Sequence, residues 1–294
     1  MARVAVWVVV PVIALSALGC GDMSFDGESA YGFVERQCEF GTREPGGTGH
    51  ERMLEWLVDT LDGYADQVAL QSFKATMWDS TDVTLTNVIA SFRTDLRRRV
   101  LLCAHWDTRP VAERDPNPDS RGRPIPGAND GASGVAVLLE LGRMMAERAP
   151  SVGVDLVFFD GEDGGQGGGL ADFCLGSAYY AAHMGSYAPS YAVVIDMIGD
   201  RDLSIPVEPN SMAACPEVVE MVWSAADAVG AGSFTRSSGT GMFDDHIPLI
   251  RAGVPTALVI DFDYAHWHTQ EDTPDKVSAE SLGEVGKVLS KLVY

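Results

Sequence analysis

The chain has 294 residues, 42 acidic and 21 basic, for a formal charge of −21, with 46% apolar and 21% charged residues. So negative a chain repels phosphate backbones, and its one arginine run, Arg97-Arg98-Arg99, leads straight into the apolar Val100-Leu101-Leu102. That run reads as the solvated start of a strand, which excludes a nucleic-acid partner, and the apolar content excludes disorder.

Behind Arg3, residues 4–18 form an uncharged apolar run that stops at Gly19-Cys20-Gly21-Asp22. It is shorter than the ~20 residues needed to cross a bilayer and Pro11 interrupts it, so residues 1–19 are expected to be a signal peptide. Ala17-Leu18-Gly19 suits both ordinary cleavage and cleavage before a lipid-modified cysteine, and either leaves Cys20 first. We therefore expect an exported bacterial lipoprotein, periplasmic or on the outer surface, touching the membrane only through lipidated Cys20. Residues 20–47, rich in Gly, Ser, Asp and Glu, suit a tether and loose lead-in, with the folded domain over residues 48–294. Cys38, Cys103, Cys174 and Cys215 match no zinc knuckle or CxxC motif and predict no particular disulfide. Cys103 and Cys174 lie in apolar runs and read as buried free thiols.

Residues 50–65 carry Met53, Leu54, Trp56, Leu57, Leu61 and Tyr64 at helical spacing. Strands are predicted at 68–73, 83–92 and 100–105 from β-branched or alternating runs. A helix over 131–148 and the apolar strand 154–160 complete a βαβ unit, the strand being of the kind buried on both sheet faces. The alternation continues with a helix near 177–183, strand 192–198, helices 216–229 and 247–252, strand 255–260 and helix 279–292. This pattern predicts one α/β domain. The glycine run Gly164–Gly169 lacks the Gly-Lys-Ser/Thr ending of a phosphate loop, so it reads as an active-site loop.

The chemistry-bearing residues fall at or just past predicted strand ends: His105, Asp107, Asp130, Glu162, Asp163, Asp196 and His268. In parallel α/β sheets those ends converge on one crevice. Two imidazoles and several carboxylates make a ligand set suited to zinc, whose catalytic sites use three protein ligands and leave one position open. Apolar residues directly precede three of the acids, so burial would raise their pKa unless a bound cation offsets it. Alternation along an extended segment points Glu162 and Asp163 in opposite directions, so one serves as ligand and the other as base. His105 and Asp107, two apart, share a face, where the carboxylate can orient the imidazole.

The segments Ala104-His-Trp-Asp-Thr-Arg-Pro, Gly127-Ala-Asn-Asp-Gly-Ala-Ser-Gly, Phe158-Phe-Asp-Gly-Glu-Asp, Cys174-Leu-Gly-Ser, Val194-Ile-Asp-Met-Ile-Gly, Asp244-Asp-His-Ile-Pro and Trp267-His-Thr run collinearly over roughly residues 50–294. Together they resemble the animal-type glutaminyl-peptide cyclotransferases and their bacterial relatives. The resemblance implies the zinc-aminopeptidase fold, a mixed, mostly parallel central sheet with helices on both faces. It implies one zinc on Asp130, Asp163 and His268, with Glu162 as the acid–base group and Asp196 and Asp244 in a proton network beside it. Trp267 would line the substrate pocket, with Phe243, Phe262 and Tyr264 as further pocket aromatics. His105 would be a bystander in a cyclase and a ligand of a second metal in an aminopeptidase.

The implied reaction closes an N-terminal glutamine of a peptide or protein into pyroglutamate with release of ammonia, in a monomeric enzyme. Two departures stand out. Gly164–Gly169 occupies the place where some relatives carry an aromatic, and Asp263 takes the position four before Trp267, between Phe262 and Tyr264. The competing reading is a two-zinc aminopeptidase, with His105, Asp130 and Asp196 holding the second ion. Trp267 directly before His268, and the Asp244-Asp245-His246-Ile247-Pro248 run, favour the cyclase. A non-catalytic peptide-binding lipoprotein has no use for an unligated buried base such as Glu162.

Overall fold

A computed structural model describes residues 24–165 and 169–294. The elements run α1 (Gly27–Cys38), α2 (Thr48–Asp62), β1 (Gln67–Thr76), β2 (Asp82–Phe92), β3 (Arg99–His105), α3 (Ala132–Glu147), β4 (Gly153–Phe159), α4 (Leu175–Ala182) and β5 (Ala192–Asp196). They continue with β6 (Ile205–Val207), α5 (Pro209–Ala214), α6 (Pro216–Val229), β7 (Phe234–Ser238), α7 (His246–Arg251), β8 (Thr256–Ile260) and α8 (Ala279–Val293). The six-stranded sheet has the order β1-β2-β4-β3-β5-β8, and β6 pairs with β7 in a separate parallel ribbon. β1–β2 and β2–β4 are antiparallel, whereas β4–β3, β3–β5 and β5–β8 are parallel.

The parallel strands are apolar on both faces because helices cover both. Val100, Leu102 and Ala104 of β3 join the core formed with α1, α2, α3, α6 and α8, while the alternate residues Leu101 and Cys103 join a second core with Tyr180 of α4 and Leu249 of α7. The chain leaves β3 toward β4 on one side and later places β5 on the other, so the strand order reverses between β3 and β5. Crevices for ligands open at such reversals.

The lead-in differs from its expected looseness. Asp26 caps α1 by accepting from the Glu28 and Ser29 amides at 3.0 and 3.1 Å. Ala30, Val34 and Gln37 are buried in it, and Phe25 lies over Gly286, where a Cβ would meet its ring at 2.3 Å. Burial of these few apolar residues against α3 and α8 overrides a polar composition, so part of the expected tether belongs to the domain. The signal peptide and Cys20 lie outside the described residues. Cys38, Cys103, Cys174 and Cys215 form no disulfide with one another. No helix among the described residues is long and apolar enough to cross a membrane.

Candidate active site

His105 closes β3, Asp196 closes β5, Asp130 stands just before α3, and Glu162-Asp163 follow β4. His268 arrives on the loop after β8. These segments meet at the strand-order reversal. Asp130 lies at the centre of two ligand groups, His105–Asp130–Asp196 and Asp130–Asp163–His268, in each of which the donor atoms lie within 4.8 Å of one another. His105 Nε2 is 3.1 Å from Asp196 Oδ1 and 3.3 Å from Asp130 Oδ1. His268 Nε2 faces Asp130 Oδ2 at 3.7 Å and Asp163 Oδ1 at 3.6 Å, too far for hydrogen bonds. Close approach requires glycine beside Asp130: a Cβ on Gly131 would lie 2.5 Å from the His105 imidazole.

The donor set fits a divalent cation such as zinc. Asp163 Oδ2 is buried without a hydrogen-bond partner, a costly state for an anionic oxygen unless a cation meets it. Its Oδ1 accepts from Arg109 Nη1 at 2.9 Å. Arg109 Nε donates to Glu113 at 2.8 Å, and Glu113 accepts from His268 Nδ1 at 2.6 Å. Arg109 and Glu113 thus link two of the candidate ligands and hold His268 with Nε2 inward.

Glu162 belongs to neither ligand group, yet it lines the same cavity of about 80 Å³ with Asp130, Asp163, Asp196, Asp244 and His268. Burial, with Asp163, Asp244 and Asp245 nearby, pushes its carboxyl well above the usual range, against the pull of His105. Cys174 Sγ donates to Glu162 Oε1 at 3.2 Å. Burial raises Asp163 to about 7 and Asp244 to about 6. Burial would raise Asp130 as well, but the hydrogen bond and charge of His105, with His268 and Arg109, bring it below its ordinary value. A larger cavity of about 460 Å³ beside Trp223 contains only the Glu220–Arg236 ion pair as ionisable lining, so the chemistry lies in the smaller one.

Trp267, Phe262 and Phe243 line the cavity, together with Phe173 and Met242. Phe262 meets Trp267 edge-on at 4.7 Å between centroids, and Arg114 lies over the Trp267 ring at 4.1 Å.

Three expectations need correction. Tyr264 does not line the cavity: it is buried and donates to Asp272 Oδ1 at 2.7 Å. Asp272 in turn accepts from the Asn129 and Asp130 amides at 2.8 and 3.1 Å, which fixes the loop carrying Asp130. Asp107 does not chiefly orient His105, whose Nδ1 stands 3.6 Å away; its two oxygens accept from the Glu162 and Asp163 amides. Glu162 and Asp163 both face the cavity, because β4 ends at Phe159 and Gly161, at φ +75°, turns the chain before strand alternation can apply. The sequence reading also missed Arg109, Glu113 and Asp272, which act on the ligands from far along the chain.

A family model described as peptidase family M28 matches residues 87–293. The chain belongs to that family. The glutaminyl-peptide cyclotransferase of Bos taurus is 24% identical over 243 residues, covering 71% of this chain and 66% of the relative's own length, just under two thirds. Porphyromonas gingivalis glutaminyl cyclase is 36% identical with a TM-score of 0.86, covering 90% of this chain and 96% of that one. A Zn-dependent exopeptidase from Parabacteroides distasonis is 34% identical with a TM-score of 0.89, covering 92% and 98%.

Proposed function

We propose that this M28 member is a glutaminyl-peptide cyclotransferase, acting on peptides or proteins with an N-terminal glutamine, with one zinc on Asp130, Asp163 and His268. The observation that carries the single-ion reading is the contrast between the two ligand groups. His105 Nε2 already approaches Asp196 at 3.1 Å and Asp130 at 3.3 Å, whereas in the other group Asp163 Oδ2 is left unpartnered. The wholly buried His105 ring between Asp130 and Asp196 then stands as a bystander. The aromatic wall of Trp267 and Phe262 supports an N-terminal side chain held in a narrow cavity.

When bound there, zinc supplies Lewis acidity toward a carbonyl oxygen. Glu162, outside the ligand set, takes a proton from the α-amine as that nitrogen bonds to the γ-carbonyl carbon of the same residue. It returns the proton to the departing amide nitrogen as the carbon–nitrogen bond breaks, so ammonia leaves and no water is consumed. Burial, which raises its pKa, favours the protonated form that it takes on between the two transfers. Asp196 and Asp244 add buried carboxyls to the same proton path. The cavity walls position nucleophile and carbonyl together, which favours an intramolecular closure.

The test is ammonia release from glutaminyl peptides, abolished by a chelator and restored by zinc, with about one ion per chain. Release of free amino acids with two ions would instead establish the aminopeptidase alternative, for which His105, Asp130 and Asp196 provide the second ligand group. Export and lipid attachment at Cys20 complete the proposal, with a monomeric catalytic domain outside the cytoplasm.

A further inference from the structure

The cavity continues beyond its carboxylates. Met242 and Phe243 line it and also line a wider groove of about 610 Å³. Leu170, Ile247, Ile250 and Arg251 form other parts of that groove. Leu170 is 59% exposed, one of few large apolar side chains that the described residues leave in water. Arg251 is the only charged residue of the groove lining. Its guanidinium carbon stands 5.5 Å from the centroid of the Phe243 ring, and it has no ion-pair partner among the described residues. Further in, the cavity lining carries five carboxylates, Asp130, Glu162, Asp163, Asp196 and Asp244, beside His268, and the whole chain carries a charge of −21, so Arg251 marks a change of charge along the groove.

An extended peptide advances ~3.3–3.6 Å per residue. A peptide whose first residue fills the inner cavity therefore lays its next two or three residues along the groove. We propose that the groove selects peptides in which the glutamine is followed by apolar residues and then by a carboxylate, the apolar side chains resting on Leu170, Ile247 and Ile250 and the carboxylate on Arg251. The selectivity rests on the cyclotransferase reading and adds a substrate class to it. Arg251 also stands in the last turn of α7, where carbonyls favour a cation, a role that needs no peptide.

Ammonia release from the zinc-loaded enzyme is measured with glutamine amide and with three C-terminally amidated tetrapeptides: Gln-Leu-Phe-Asp, Gln-Leu-Phe-Lys and Gln-Gly-Gly-Asp. The first is expected to exceed the third about tenfold in kcat/KM, through KM, from apolar burial. It should exceed the second about threefold at low salt, with the gap closing as ionic strength rises. Ile250→Ser narrows the first ratio and Arg251→Gln abolishes the second, while Arg251→Lys restores most of it. A merely helix-capping Arg251 would shift the melting temperature and leave both ratios alone. Equal kcat/KM for the three tetrapeptides, with ammonia released from all, would overturn the groove alone. Ammonia from none of them, glutamine amide included, would overturn the cyclase reading and the groove with it.

Discussion

Glu113→Ala probes the support behind the candidate metal ligands. The carboxylate accepts from His268 Nδ1 at 2.6 Å and from Arg109 Nε at 2.8 Å. Burial pulls its pKa up, but His268 and Arg109 outweigh that and hold it at about 2. Partners of metal-binding imidazoles are commonly worth 10–100-fold in metal affinity. The Glu113 side chain is 41% exposed, so water competes for both bonds and the lower end applies. We expect zinc Kd to rise about tenfold, or about 1.4 kcal/mol. Competition against a chromophoric chelator at neutral pH measures it, with the melting temperature of the metal-free protein as control. Because the folded-state pKa is depressed, the support is present above pH 4.5 and disappears as pH falls toward 2. Zinc affinity equal to that of the parent protein, at equal folded stability, would refute the reasoning.

Glu162→Gln should retain zinc yet lose about a hundredfold or more in turnover, since it removes the proton carrier and leaves Asp130, Asp163 and His268 in place; parental activity in the variant would rule out Glu162 as the base. Asp272→Asn turns an NH₂ toward one of the two amides that the carboxylate now accepts from, Asn129 and Asp130, at a cost of about 1–3 kcal/mol of stability read by denaturant unfolding. In the metal-free protein, burial raises Asp160 to about 6 and Asp272 to about 7 from 3.8. Folding then favours the protonated acids, a contribution fully present below pH 3.8 and lost as pH rises through those values. The metal-free melting temperature is accordingly expected to be higher near about pH 5 than about pH 8, with a shallower slope in Asp272→Asn; a slope unaffected by that substitution would count against Asp272 as a source.

What the sequence makes legible is periodicity and punctuation. α6 falls at 216–229 as predicted because Pro216 opens it and Gly230, at φ +73°, closes it. β3, β4, β5 and β8 are legible as short apolar runs, and from their ends follows the gathering of His105, Asp130, Glu162, Asp163, Asp196 and His268. α1 is hidden because its buried face is only Ala30, Val34 and Gln37 within a polar, glycine-containing stretch. β6 has only three residues, and β7 and α5 bury a single side chain each, Phe234 and Ser211, so none of them shows an apolar pattern. The misassigned side chains share another cause: Tyr264 sits among the right residues, but which way its hydroxyl points depends on Asp272, eight positions away, and on the loop Asp272 braces. Glu113 meets His268 across 155 positions and Asp272 meets Asn129 across 143, separations at which no local pattern carries information.

The lead-in gives Arg43 a structural duty of its own. This wholly buried guanidinium donates to the carbonyls of Pro126 and Gly127 at 2.9 and 2.6 Å, while the Arg43 amide donates to Thr108 Oγ1 at 2.8 Å. It therefore buttresses the bend that delivers Asp130. A polypeptide begun at residue 48, where composition alone would draw the boundary, would keep every candidate ligand and lose that buttress, so amputation at the front end would slacken the loop that brings Asp130 to the other candidate ligands.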